Sequence, residues 1–314
     1  MSNIATVAAP ERPALGAALR RRLSYAAEAA TGYLFLAPSL LVFGTFVFYP
    51  LVKSVYLGFY VSNPFGTGQV YVGTDQYRRV LSSDQFHTAL VTTALFALYT
   101  VAGGVVLGLL LALLANARLR GIFIFRTIFS STIATSVAVA SLMWILLFNP
   151  SIGVLNWALS LLHIARINWL TSPHWALFSV SIATIWLQLG FNTIVLLAGL
   201  QGIPEELYES ARVDGSGPVR QFFSITLPML SPTLFFVIVI ASIRAFESFG
   251  QIDLLTQGGP NNATFTLVYA IYRNAFFNFG ATGVASAQAV VLFVIILLFT
   301  AVQFGVAERK VFYG

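Results

Sequence analysis

Residues 205–228 read EELYESARVDGSGPVRQFFSITLP. Six of them are charged (Glu205, Glu206, Glu209, Arg212, Asp214, Arg220), in a chain where charged residues make up only 9% of 314. Pro204 suits a first helical position, and Glu205 and Glu206 fall in the first turn, where the helix dipole favours negative charge. Arg212 lies near the other end, the favourable place for a cation. Gly215 can take a left-handed conformation and stop the helix. Pro218 can open a second short helix, with Pro228 and Pro232 flanking the start of the next apolar run. The spacing therefore predicts helix, glycine turn, helix. Each piece is shorter than about a dozen residues and needs tertiary contacts to be stable in water. Leu207 and Ala211 give the first helix a small apolar face. Helices that rest on lipid headgroups are rich in Lys and Arg, whereas this one carries three glutamates. Docking on a protein explains it better.

The rest of the chain explains why such a segment stands out. It is 58% hydrophobic with a mean hydropathy of +0.83, against about 25% charged residues in soluble domains. A water-soluble fold of this length could not bury that much apolar surface behind so little polar skin, so lipid must solvate most of it. The formal charge of +6 is spread over positions that flank apolar runs. It forms no clustered basic face of the kind that nucleic acid binding requires. Cysteine is absent, which removes disulfides, thiolate metal sites and Cys nucleophiles.

Six windows are long enough to cross about 30 Å of hydrocarbon, near residues 31–52, 89–115, 122–148, 176–200, 230–249 and 284–306. The first starts too far in, and is too long, to be a cleaved signal peptide. Eleven basic residues lie on one side of this arrangement: Arg12, Arg20, Arg21, Arg22, Arg118, Arg120, Arg126, Arg212, Arg220, Arg309 and Lys310. Five lie on the other: Lys53, Arg78, Arg79, Arg166 and Arg273. The excess of Lys and Arg on cytoplasmic loops puts both termini and residues 205–228 in the cytoplasm. The outer connections (53–88, 149–175, 250–283) carry NPFG at 63–66, FNPSIG at 148–153 and Gly258-Gly259-Pro260. They exceed what antiparallel helices need. Either they build an outer surface or they are interfacial caps.

The chain carries no engine of its own. Its two lysines, Lys53 and Lys310, do not follow a glycine as a phosphate-binding P-loop demands. The three histidines (His87, His163, His174) fall in the outer connections without zincin spacing, and no GxSxG elbow occurs. This argues against an enzyme. Within the fifth window, Arg244, Glu247, Ser248 and Gln251 have the spacing of one helix face. Two readings stand: a stripe facing a translocation cavity, or a structural ion pair of Arg244 with Glu247. Gln188 and Asn192, one turn apart in the fourth window, can line a pathway or bond helices together. Gly104-x3-Gly108 in the second is a helix-packing signature.

Glu209-Ser210-Ala211, three residues, Gly215, nine residues, then Ile225-x-Leu227-Pro228 resembles the EAA signature of ABC importer permeases, with Ser210 for the central Ala. Sugar-type permeases of the maltose class are also similar at LFLAPSLL (34–41), YVGTDQY (71–77), WILLFNPSIGVLN (144–156) and TQGGPNNATFTLVYAIYRNAF (256–276). Within that class, SNPFG (62–66), VDGSGPVRQFFSITLPMLSP (213–232), SAQAVVLF (286–293) and VQFGVAERKVFYG (302–314) resemble first permease subunits of glycerol-3-phosphate and glycerophosphodiester importers.

The resemblance implies an all-α, polytopic, six-helix type I importer permease in a bacterial inner membrane. A cytoplasmic tail (1–30) would precede the permease domain (31–306, with the coupling loop at 201–230), and a tail (307–314) would follow. It implies a second homologous permease, a homodimeric ATPase that binds the ATP and Mg this chain does not, and an extracytoplasmic binding protein. Glu205, Glu206, Glu209, Ser210, Ala211, Asp214, Gly215, Ile225, Leu227 and Pro228 would meet the ATPase, with Glu209 for polar contact and Gly215 for the turn. Gly258, Gly259 and Pro260 would face the binding protein. The expected cargo is glycerol-3-phosphate or a glycerophosphodiester such as glycerophosphocholine. The alternatives are a sugar such as trehalose or maltose or, in another class, a stand-alone secondary carrier.

Overall fold

The computed structural model describes residues 32–62, 68–117, 121–278 and 280–307. The expected terminal tails (1–30 and, from 308, the last residues), the NPFG tip, Arg118, Arg120, Arg309 and Lys310 lie outside the described residues. The chain divides into two units between Ser54 and Val55. The first is carried by helix α1 (Gly32–Leu57), which has a π turn at Gly44–Phe48 and buries none of its residues up to Ser54. A helix apolar on all sides is suited to lipid.

The second unit opens with a small outer hairpin, β1 (Tyr60–Ser62) and β2 (Gln69–Tyr71), paired antiparallel with Tyr60 opposite Tyr71. Helices α2 (Asp75–Leu81) and α3 (Asp84–Asn116) follow. Then come α4 (Ile122–Ser130), α5 (Val137–Leu147), α6 (Val154–Leu161) and α7 (Pro173–Gln201). The charged helix of residues 205–213 is α8 (Glu205–Val213), and α9 (Pro218–Phe246) follows it. The chain ends with α10 (Gly250–Leu255), α11 (Leu267–Phe276) and α12 (Thr282–Ala307). Among the described residues, five helices are long and apolar enough to cross a bilayer. A sixth crossing exists only if Ile122–Ala134 and Val137–Leu147 are one span, bent by 109°.

That bend corrects the expected straight span at 122–148. The cause is a run of hydroxyl residues whose side chains take backbone carbonyls. Ser130 Oγ donates to Arg126 O (2.6 Å), Ser131 Oγ to Ile128 O (2.7 Å) and Thr132 Oγ1 to Phe129 O (3.1 Å). The last turn tightens into a 3₁₀ segment, Ser131–Ala134, and Ser136 caps the next helix by accepting from Val139 N at 3.3 Å. Side chains that compete for backbone partners in this way bend and end helices.

The fifth span is corrected too. Pro218 does not open a separate short helix. It starts a continuous helix that runs to Phe246 through a π turn at Phe222–Thr226. Pro228 and Pro232 therefore lie inside this helix, not before it. The Pro228 carbonyl, which Pro232 has no N–H to reach, accepts instead from Ser231 Oγ at 2.6 Å. Pro204 is the N-cap of α8 and not its first helical residue.

Packing explains the arrangement. The hydrophobic effect does not draw helices together in lipid, so close approach by small residues must. Gly104 and Gly108 of α3 face α7, where an added Cβ would come within 3.1 Å of Asn192 Nδ2 and 2.8 Å of Asn192 Cβ respectively. Two apolar clusters result. One lies toward the outer loops around Phe96, Trp144, Phe148, Trp169 and Ile252. The other, around Ala112, Leu196, Leu200, Ile203, Leu230 and Val237, packs against Tyr208 of α8 and Ile225 of α9.

Candidate coupling segment, pathway and outer loop

Helix α8 buries none of its residues. It ends in a Schellman motif: Gly215 has φ +75°, its N–H donates to Arg212 O (3.0 Å), and Ser216 N–H donates to Ala211 O (2.8 Å). Asp214 is the exposed C-cap. Gln221 Nε2 donates to Ser216 O at 2.8 Å and braces the turn onto α9. The tether to the bundle is Tyr208, whose hydroxyl lies 3.0 Å from Thr226 Oγ1 in the π turn. Ser210 Oγ donates back to Glu206 O. Arg212 Nη2 and Glu209 Oε1 are 3.9 Å apart with both side chains more than half exposed, so the pair adds little stability. What the segment presents outward is apolar as well as charged: Leu207, Val213, Val219 and Phe223 are all exposed. Glu205, Glu206, Glu209 and Ser210 are exposed, Ala211 half-buried, and Ile225, Leu227 and Pro228 half-buried at the base of α9.

The four polar residues expected on one face of the fifth span do not share a helix. Helix α9 ends at Phe246 with Glu247 as its C-cap, and Gln251 belongs to α10. The break lets Gly250 approach α5, where a Cβ would come within 2.8 Å of Val137. Arg244 and Glu247 are both exposed and make no ion pair with each other or with another described residue. Instead the Arg244 guanidinium lies 4.3 Å from the centre of the Phe191 ring. Ser248 Oγ donates to Gln251 Oε1 at 3.2 Å, with Gln251 buried. Gln188, one turn before Phe191, is half-buried. Asn192 is 2% exposed at the α3–α7 contact, and its Nδ2 has no hydrogen-bond partner. It packs the helices without bonding them.

Between α10 and α11, residues 256–267 form a tightly held loop. Thr264 is fully buried, donating to Gly259 O (2.8 Å) and lying 2.7 Å from Thr256 Oγ1. Leu267 N–H donates to Thr93 Oγ1 of α3 at 2.9 Å. Gly258 has φ +78°, and a Cβ there would strike Tyr269 at 2.6 Å. Gly259 and Pro260, joined by a cis peptide, are half-buried at the rim.

Two contacts have no counterpart in the sequence reading. One is Tyr208 to Thr226. The other is Gly190 N–H of α7, which donates to Thr132 Oγ1 (3.0 Å) in the bend. The hydroxyl cluster at 130–136 was the available signal for the second. Tyr208 gives none, because Thr226 lies eighteen residues away.

Residues 104–312 match the family described as binding-protein-dependent transport system inner membrane component, and the chain belongs to it. It is 35% identical over 282 residues to an sn-glycerol-3-phosphate transport system permease protein of Yersinia pestis, covering 90% of this chain and 95% of the relative. It is 36% identical over 292 residues to a trehalose/maltose transport system permease protein of Thermococcus litoralis, covering 93% and 98%. A chain in the crystal structure of a bacterial ABC transporter that imports the acidic polysaccharide alginate superposes with a TM-score of 0.79 at 26% identity, covering 92% of this chain and 99% of that one. The same kind of transporter in complex with an alginate-pentasaccharide-bound periplasmic protein gives 0.77 at 26%, covering 90% and 95%. The chain is thus a permease subunit of an ABC importer, a multi-span membrane component and not a catalytic one.

Proposed function

We propose that this chain forms half of the translocation pathway of an ATP-driven importer, with helix α8 as the place where a separate ATPase moves it. The observation that carries the reading is α8 itself. Its exposed apolar residues have no cover within the described chain, a glycine turn ends it, and Tyr208 ties it to the base of a transmembrane helix. The partners are a second homologous permease, a homodimeric ATPase holding ATP and Mg, and an extracytoplasmic binding protein that meets the outer loops around Gly258, Gly259 and Pro260. Both termini are cytoplasmic, on the side of α8. The name of the alginate complex with its periplasmic protein supports the binding-protein partner.

Arg244, Glu247 and Gln188 mark the pathway. An unpaired guanidinium beside an apolar ring is costly against acyl chains, so this face is turned to a cavity or to the second permease. The cargo is glycerol-3-phosphate or a glycerophosphodiester, in keeping with the glycerol-3-phosphate permeases among the relatives. The trehalose/maltose relative supports a sugar as the other reading. The decisive experiment is uptake of both cargo classes into proteoliposomes. Uptake that needs ATP and all partners is expected. Uptake by the purified chain without ATP would make it a secondary carrier instead.

A further inference from the structure

The loop at 257–262 and the start of α3 enclose a cavity of about 260 Å³ on the outer side. Its lining is polar: Gln85, Gln257, Asn261, Asn262, Asn274 and Asn278 together with Arg273, over the buried ring of Phe265. No carboxylate lines it. Gln85, Gln257, Asn261 and Asn262 make no side-chain hydrogen bond within the described chain, so their amides are open to an occupant. Arg273 pairs with no described carboxylate and is steadied by the Phe277 ring, 5.6 Å from its guanidinium carbon. Asn278 Nδ2 donates one hydrogen to Asn274 Oδ1 (2.7 Å), which in turn donates from Nδ2 to Gln288 Oε1 (2.8 Å), so this wall is fixed from α12.

The loop also holds three residues other than glycine in the left-handed region. Gln257, Asn261 and Asn262 have φ of +51°, +49° and +61°, and all three line the cavity. Left-handed residues other than glycine persist where surrounding contacts impose them, and they gather at binding sites. Here the imposing contacts are the buried Thr264 and its bonds to Gly259 and Thr256. The backbone that carries three of the exposed side chains lining the pocket is thus fixed before any ligand arrives, which reduces the cost of binding.

We infer that this cavity is a binding site for a small polyol bearing an oxyanion. A guanidinium offers charge-assisted bonds to a phosphate or carboxylate. Side-chain amides both donate to and accept from hydroxyl groups, and the volume suits a solute of monosaccharide size or smaller. The site lies on the extracytoplasmic side by the charge asymmetry of the chain, apart from Arg244 at the end of α9. It is a station for cargo before the pathway, and in that role it rests on the importer reading. Its affinity for the solute does not.

The test is binding of sn-glycerol 3-phosphate to the full chain in nanodiscs, without ATPase or binding protein, with glycerol and inorganic phosphate as matched probes. Saturable binding of glycerol phosphate, stronger than of either matched probe, is expected. R273Q, which keeps donors but loses the charge, weakens it by about tenfold or more, as loss of a charge-assisted bond does. Gln85 is exposed on the first turn of α3, so Q85E tests the same pocket by repulsion without threatening the fold and lowers affinity likewise. Unchanged helicity in both variants confirms that they fold. Absent binding, binding that survives both substitutions, or binding that falls in R244A instead, overturns the proposal. If R273Q leaves this binding unchanged and disturbs docking of the binding protein in the assembled importer, the surface belongs to a protein contact and the proposal also falls. ATP-dependent uptake measured in parallel judges the importer reading separately.

Discussion

The hydroxyls of Tyr208 and Thr226 lie 3.0 Å apart, joining the exposed helix α8 to the π turn at the base of α9. Tyr208 also packs against the inner apolar cluster. Tyr208, the Gln221 side chain and the short turn at Gly215 thus link α8 to the transmembrane bundle.

Tyr208→Phe removes the bond and keeps the packing. The expected loss of stability is about 1 kcal/mol, because Thr226 retains its contact to the Gln221 carbonyl. Assembly persists, while substrate-stimulated ATP hydrolysis and uptake separate from one another. The check is the ratio of ATP hydrolysed to solute imported in proteoliposomes, which rises in the variant.

Gly215 has open space around it, so its role is purely one of backbone conformation. Gly215→Ala should cost about 1 kcal/mol for the left-handed position, Gly215→Asn less, and Gly215→Pro should abolish uptake. Gly217, equally uncrowded but with φ of −72°, provides the control: Ala there should stay within about 0.5 kcal/mol of the parent. Thermal unfolding in detergent orders the four.

Arg244→Ala and Glu247→Ala should each lower ATP-dependent uptake several-fold while leaving the purified complex intact by size-exclusion chromatography. Both groups are exposed and neither holds the other, so their loss does not leave a buried charge unpaired. Full uptake in both variants would remove them from the pathway.

Gly190→Ala places a methyl group within 2.5 Å of Thr132 Oγ1 and 2.6 Å of the Phe129 carbonyl. Overpacking of this kind costs about 1–3 kcal/mol, and it falls on the bend of the third span. A lower unfolding midpoint is expected, with the secondary-structure content preserved by circular dichroism.

Parts of the protein were readable because their causes are local. The start of α8, its acidic first turn and its left-handed stop at Gly215 follow from residues within a dozen positions of one another, as does the packing role of Gly104 and Gly108. The bend at 131–136 was hidden because an apolar run reads alike in a straight and a broken helix. The hydroxyl cluster that causes it carries meaning only once the carbonyls it takes are known. The continuous start of α9 was missed for the opposite reason: Pro228 and Pro232 read as a break, yet a π turn before them and Ser231 between them accommodate both. Prolines in transmembrane helices are tolerated when nearby groups satisfy the freed backbone.

The sequence by itself determined the solvent of this protein, the positions of its apolar runs and the place of the charged segment between two of them. All of these depend on the order of apolar and charged residues along the chain. Only the tertiary structure decided that Arg244 rests on Phe191 and not on Glu247, that Asn192 is packed without a hydrogen bond, and that α8 reaches α9 through Tyr208. Those depend on where helices end and which faces meet, and contacts between distant residues are set by close packing in three dimensions.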